Sequence, residues 1–220
     1  MKTIKINKKI LSVNDQIAAE TREKFRSHNL FSINMMSSPG SGKTSLIERT
    51  LEKLRNSLSI GVIVGDVQTE RDARRIARFQ IPVKQIVTRG TCHLNAQMVK
   101  NALSHFNMEN LNLMIIENVG NLVCPSNYDL GEDLKVTMIS VTEGDDKPLK
   151  YPAMFRVSSV LIINKVDLLP YTDFDLEQCG KYALRINPKL KLFFTSCTTK
   201  EGLEQWYQWL QEQTQRRKKE

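Results

Sequence analysis

The sequence predicts an α/β chain: a doubly wound, mostly parallel sheet flanked by helices. Three observations carry that expectation. Apolar, β-branched runs recur without polar alternation, as strands covered on both faces require. Helical patterns separate those runs, and strand–helix alternation builds parallel sheets. A glycine-rich turn, Ser37-Ser38-Pro39-Gly40-Ser41-Gly42-Lys43-Thr44-Ser45, sits directly behind the first run. Such sheets bind their ligands at that end of a strand.

Taken in order, residues 14–29 read as an amphipathic helix with Asn14 and Asp15 at its N-cap and Asn29 at its end. Strands are expected at 31–36, 60–64, 83–87, 113–116, 135–141, 159–163 and 191–195. Helices are expected at 42–57, 69–79, 95–105, 173–187 and 202–215, with Glu132 and Asp133 in a loop. No internal repeat or Gly/Ser linker divides the chain. Its 220 residues suit one nucleotide-binding domain over 30–215, preceded by an extension and packed helix over 1–29 and followed by a basic tail at 216–220.

The net charge of +8 is dispersed; only Arg216-Arg217-Lys218-Lys219 forms a block, which reads as a solvated end rather than a nucleic-acid stripe. The N-terminal residues lack the apolar core of a signal peptide, and no apolar run approaches membrane-spanning length. Four cysteines, Cys92, Cys124, Cys179 and Cys197, have no framework spacing, which fits a reducing cytoplasm. Neither a nucleic-acid nor a membrane partner is expected.

The 37–45 turn matches G-x-x-x-x-G-K-[ST] except that Ser37 stands at the first glycine. Backbone amides of such a loop cradle phosphates at a helix N-terminus. Gly40, Ser41, Gly42 and Ser45 belong to that cradle, Lys43 reaches the β/γ oxygens, and the Thr44 hydroxyl is placed for Mg²⁺. Further acidic oxygens end two other strands, Asp66 and Glu117, and complete a Mg²⁺ set with Thr44. Glu117-Asn118-Val119-Gly120 is placed like the D-x-x-G of GTPases, so Gly120 can offer its amide to a γ-phosphate. Asp72, six residues past Asp66, is a candidate for positioning water, or simply for the dipole of its helix.

Behind the sixth strand comes Asn164-Lys165-Val166-Asp167. An Asp here accepts from the guanine N1–H and amine, and adenine has no such donor pair; GTP and GDP are therefore the expected nucleotides. Lys165 can pack over the base while Asn164 braces the loop. Ser196-Cys197, after the last strand, resembles the S-A-x loop that meets guanine O6.

Cys92-His93 and Cys124 both follow strand ends. Two thiols and an imidazole suit Zn²⁺ or Ni²⁺, one ligand short of a closed tetrahedron. By themselves such residues serve core packing more often than metal binding. Cys179 reads as structural, and His28 and His105 as surface or helix-end residues.

These segments together resemble the HypB family of hydrogenase-maturation nickel-insertion GTPases, SIMIBI-class P-loop proteins related to the signal-recognition GTPases. The strings are SSPGSGKTSL, VGDVQTERDA, TRGTCHLNAQMV, IIENVGNLVCP, TEGDDKPLKYP and NKVDLLPY, spread over residues 14 to 210. Ser37 is usual in that family. The resemblance implies a Ni²⁺ or Zn²⁺ site at Cys92, His93 and Cys124, GTP-dependent homodimerisation, and nickel delivery to the nickel–iron hydrogenase large subunit with the accessory protein HypA. The Cys-rich or His-rich N-terminal segments of some members are not found in the sequence. The urease nickel-insertion GTPases are the nearest rival, but their metal motif is Cys-Pro-His, whereas Cys92 and His93 are adjacent. A GTP switch without metal is the alternative of a different class. The expected mechanism couples Glu117–Gly120 to Cys124, so that hydrolysis reshapes the metal site. No arginine finger in cis is evident, so turnover should be slow; Lys147 or Lys150 could reach a neighbour's nucleotide.

Overall fold

The computed structural model describes residues 2–68 and 71–219, with residues 2–10 described through their backbone alone. Met1, Thr69, Glu70 and Glu220 lie outside it, so the expected helix start at Thr69 and the last tail residue are outside the described residues.

Seven strands form one sheet: β1 (Phe31–Ser37), β2 (Ile60–Asp66), β3 (Val83–Val87), β4 (Leu113–Gly120), β5 (Leu134–Ser140), β6 (Val160–Asn164) and β7 (Lys191–Thr195). Their order is β3-β2-β4-β1-β5-β6-β7, and every pairing is parallel. The order reverses at β1, between β4 and β5, which is the switch point where such sheets bind ligands. Register then brings the expected site residues to one edge. Met35 lies beside Glu117, Ser37 beside Gly120, and Asn164 beside Thr195.

Alternate residues of these apolar strands feed two helical layers. Ile33, Met35, Val62, Val64, Ile115, Met138 and Ile162 pack against α2 (Lys43–Leu54) and α8 (Leu203–Arg217). There Trp206 is buried and donates from Nε1 to Thr50 Oγ1 at 3.0 Å. On the other face Ile63, Met114 and Ile116 meet α1 (Lys2–Ser27) and α4 (Ala96–Ala102), while Ile139, Leu161 and Ile163 meet α6 (Pro152–Val157) and α7 (Leu176–Ile186). The remaining helices are α3 (Arg71–Ala77) and α5 (Lys147–Lys150).

Three expectations need correcting. The first helix is already formed at Lys2, so Asn14 is not its cap. Asn14 is buried within it, donating to the Asp129 carbonyl at 2.8 Å and accepting from the Ala96 amide at 2.9 Å. Its amide serves tertiary partners rather than the helix end, so the polar pair that mimicked a start signal is an internal clasp. The block at 216–219 is not wholly a solvated tail. Arg216 and Arg217 form the last turn of α8, and Arg217 pairs with Asp133, both side chains largely buried. Third, α5 and α6 were not expected. They span four and six residues with proline in each first turn, too short for helical periodicity to show.

Candidate nucleotide and metal site

β1 ends at Ser37, and the chain turns through Gly40 (φ +77°) and Gly42 (φ +103°) into α2. Gly42 is constrained twice. Its backbone is left-handed, and a Cβ would stand 2.5 Å from Asn164 Nδ2. That same Nδ2 donates to the Ser41 carbonyl at 2.8 Å, so Asn164 braces the loop as expected. Ser37, in the glycine position, supplies a hydroxyl 2.6 Å from Lys43 Nζ. Burial pushes the Lys43 ammonium down from its usual range, opposed by the carboxylates of Glu117, Asp72, Glu143 and Asp66. Ser38 Oγ donates to Glu143 on the loop after β5.

A cleft of about 520 Å³ opens beside this loop, lined among others by Lys43, Thr44, Asp66, Asp72, Glu117 and Gly120. Glu117 is only 3% exposed; its Oε1 accepts from Thr44 Oγ1 at 2.7 Å, and its Oε2 meets no hydrogen-bond partner among the described residues. Burial raises its carboxyl to about 7, which Lys43 and Thr44 only partly oppose. Asp66 ends β2 with Oδ1 accepting from the Gln68 amide at 2.9 Å. At Gly120 a Cβ would stand 3.1 Å from Pro39 Cα, so the end of β4 runs closely against the phosphate loop and a side chain would have to push its backbone aside.

Arg75 is a cleft residue that sequence reasoning missed. Its guanidinium is committed to Glu48 (3.0 and 2.5 Å), Asp72 (3.4 Å) and Ser45 Oγ (3.1 Å), which fixes α3 to α2. The Asp72–Arg75 spacing of three residues was the available signal.

On the other flank of the phosphate loop, Lys165 adopts φ +63° and donates from Nζ to the Gly40 carbonyl at 2.7 Å. Asp167 lies in a 3₁₀ segment, Val166–Tyr171, with Oδ1 buried and unpaired. Ser196 Oγ accepts from the Thr198 and Thr199 amides at 3.2 and 3.0 Å, shaping the turn beside it. Cys197 is buried, its thiol pushed up to about 11 by that burial, and its carbonyl accepts from Arg49 Nε at 2.8 Å.

Cys92 and His93 leave β3 through a turn carrying Arg89 (φ +49°) and Gly90 (φ +106°). Cys124 opens a 3₁₀ turn, Cys124–Asn127, behind β4. The structure brings all three together: Cys92 Sγ is 2.8 Å from Cys124 Sγ and 3.7 Å from His93 Nδ1, and one donor atom from each residue lies within 4.8 Å of the others. The thiols are free. The His93 ring stacks on Tyr128, centroids 3.9 Å apart, and desolvation lowers its pKa, favouring the neutral imidazole that ligates metals. Tyr128 is a second residue the sequence did not disclose. Away from these loops, Cys179 is buried in α7, and Lys150 pairs with Asp146 at 2.6 Å in a short helix behind β5.

A phosphate loop, a guanine-type loop and a Cys–His–Cys cluster on one sheet edge can be compared with known proteins. The CobW/HypB/UreG nucleotide-binding domain matches residues 32–194. The hydrogenase maturation factor HypB of Azotobacter vinelandii is 49% identical over 210 residues, covering 96% of this chain and 69% of its own length. The chain belongs to the HypB family of hydrogenase maturation factors. Among solved structures, HypB from Archaeoglobus fulgidus superposes with a TM-score of 0.87 at 40% identity over 92% of this chain and 99% of its own. HypB from Helicobacter pylori in complex with nickel gives 0.88 at 38% identity, covering 92% and 95%. The signal recognition particle 54 kDa protein of Aeropyrum pernix, at 12% identity and a TM-score of 0.56 over 76% of this chain and 42% of its own, shares the fold. Among the described residues no helix is long and apolar enough to cross a membrane.

Proposed function

We propose that this HypB-family chain is a GTP-hydrolysing nickel chaperone that acts in the cytoplasm. It carries Ni²⁺ at Cys92, His93 and Cys124 for insertion into the nickel–iron hydrogenase large subunit, with HypA as accessory partner and a GTP-dependent homodimer as the working form. One observation carries the reading. A single strand, β4, presents Glu117 to the phosphate-loop Thr44 at 2.7 Å and, four residues past Gly120, delivers Cys124 to Cys92. Phosphate and cargo therefore share one mechanical element. The nickel-bound Helicobacter pylori relative supports the choice of Ni²⁺, although the donor set also suits Zn²⁺.

GTP occupies the loop formed by Gly40, Ser41, Gly42, Lys43, Thr44 and Ser45. Lys43 leaves Ser37 Oγ for the β/γ oxygens, and Gly120 meets the γ-phosphate. The residues present fit Mg²⁺: a hydroxyl and two carboxylates, with the buried, unpartnered Glu117 Oε2 supplying an oxygen that lacks a proton donor. Thr44, Asp66 and Glu117 would hold it, and when bound it neutralises phosphate charge. Asp72 orients water. Asp167 accepts from guanine, Lys165 packs on the base, Asn164 fixes both loops, and Ser196-Cys197 meets O6. Loss of the γ-phosphate releases Gly120, shifts Cys124 relative to Cys92 and His93, and frees the cargo. Slow turnover follows from Arg75 being held by Glu48. Lys147 and Lys150 are candidates to act across the dimer.

The test is nickel titration of the GDP-bound and GTP-analogue-bound chain, followed by thiolate-to-nickel absorbance. Cys92→Ala and Cys124→Ala should each lose stoichiometric nickel while keeping nucleotide affinity. Unchanged nickel binding in both variants would sink the cargo assignment.

A further inference from the structure

The end of β4 touches the Cys–His segment at a second place. Asn118, between Glu117 and Gly120, is 1% exposed, and both ends of its amide are hydrogen-bonded. Its Oδ1 accepts from the Leu94 amide at 3.0 Å and from the Val119 amide at 2.9 Å, and its Nδ2 donates to Asn34 Oδ1 on β1 at 3.2 Å. Leu94 directly follows His93 and is fully buried. Its side chain lies on Gly65, where a Cβ would stand 2.8 Å from it. Gly65 is the residue before Asp66, and Asn118 the residue after Glu117. The neighbour of the imidazole is thus held by two residues, each one step from a cleft carboxylate.

The rest of the segment meets the cleft side through single contacts: the Thr88 amide donates to the Asp66 carbonyl at 2.9 Å, and Asn121 Nδ2 donates to the Cys92 carbonyl at 3.4 Å. Thr88 and Thr91 close a turn on themselves, Oγ1 of Thr88 donating to the Thr91 carbonyl at 2.6 Å and Oγ1 of Thr91 to the Thr88 carbonyl at 3.2 Å. Cys92 and His93 are half-buried between that turn and Leu94. A displacement of Glu117 or Asp66 reaches the imidazole through Leu94, the residue beside it, because a packed, hydrogen-bonded junction moves as a unit.

We infer that Asn118 and Leu94 are positioning residues that carry the nucleotide state to Cys92 and His93, beside the direct chain connection to Cys124. Both sides of the metal site then move together when the cleft changes occupancy: one thiol through the strand, the other thiol and the imidazole through the Asn118–Leu94 junction. This rests on the nickel-chaperone reading above and specifies how its site is regulated.

The experiment compares Ni²⁺ affinity of the full chain loaded with GDP·Mg²⁺ and with a non-hydrolysable GTP analogue. The wild type should show a difference of roughly fivefold or more between the two forms. Asn118→Ala should still bind one nickel but bring the two affinities within about twofold of each other. Leu94→Val keeps the amide bond, loosens the contact with Gly65, and should give an intermediate ratio; it also decides the matter if Asn118→Ala does not fold. A merely structural role would weaken nickel equally in both forms and leave the ratio at its wild-type value, which overturns the inference. A wild type with equal affinities in both forms overturns instead the coupling on which the proposed function depends.

Discussion

In the phosphate cleft Lys43, Thr44 and Glu117 are buried, and Glu117 Oε2 has no hydrogen-bond partner among the described residues, nor, in the base loop, has Asp167 Oδ1. At the Cys–His cluster the donors are half-buried, the thiols contact one another, and Val123 beside them is exposed. An unpaired buried polar atom costs about 1–3 kcal/mol, so the cleft is built at a stability cost that its ligand removes. The Cys–His cluster is half-buried, so its donors stay partly open to solvent. The difference suits the two tasks proposed above: a nucleotide that is bound tightly and read, and a cargo that must leave.

The largest way to break that comparison is Lys43→Ala. It removes the only ammonium that lies within the phosphate loop itself. GTP turnover should fall by about 10³-fold, or ~4 kcal/mol of transition-state stabilisation. Nickel stoichiometry of the nucleotide-free variant should stay at the wild-type value. If nickel were lost as well, the two regions would not be separable, and the contrast between them would fail.

Glu117 gives the next effect, and it is a pH dependence. Burial holds its carboxyl at about 7 against an ordinary 4.5. The folded chain then keeps a proton that the unfolded chain releases. This contribution to stability is full below the unfolded value and is lost as pH rises through about 7, amounting to ~3 kcal/mol. Urea midpoints of the nucleotide-free, Mg²⁺-free chain should therefore decline across that window, and Glu117→Gln should flatten the decline. An unaltered slope in Glu117→Gln would place the titration elsewhere.

The cleft was legible in sequence for a physical reason: phosphate recognition uses the backbone, and backbone geometry leaves a mark on glycine spacing. All seven strands were also readable, five of them because buried parallel strands are largely continuous apolar runs. Asp66 and Glu117 could be located because strand ends point to the ligand edge. Tertiary partners left no such mark. Arg75 reaches the cleft from a short helix, Tyr128 meets His93 from the far side of Cys124, and Asn118 serves Leu94 across 24 residues of chain. Asn14 misled because a cap and a buried clasp use the same amide chemistry. Cys92, His93 and Cys124 were found in sequence, but their proximity was a property of two loops that only the folded sheet aligns.

A smaller expected effect concerns the base. Asp167 Oδ1, with no partner among the described residues, is the acceptor that the proposed function assigns to guanine. Asp167→Asn replaces an acceptor by a donor and should weaken GTP by about 2 kcal/mol while improving xanthosine triphosphate. Competition binding with the two nucleotides measures this, and an unchanged preference for guanine would remove Asp167 from the base site.

The smallest effect sharpens the other side of the comparison. His93 is held by stacking on Tyr128, whereas many metal-bound imidazoles donate their other ring N–H to a carboxylate or carbonyl. Tyr128→Leu keeps an apolar side chain and the backbone carbonyl that accepts from Lys135 Nζ, but removes the ring face. Such contacts are worth about 0.5–1.5 kcal/mol, so nickel affinity should drop by roughly two- to tenfold. The drop should be the same in the GDP and GTP-analogue forms, since Tyr128 stands outside the Asn118–Leu94 junction. Tyr128→Phe should restore most of the affinity. A loss in Tyr128→Leu confined to one nucleotide form would mean that the ring belongs to the switch, and that the metal cluster is tied to the cleft more tightly than its half-buried donors suggest.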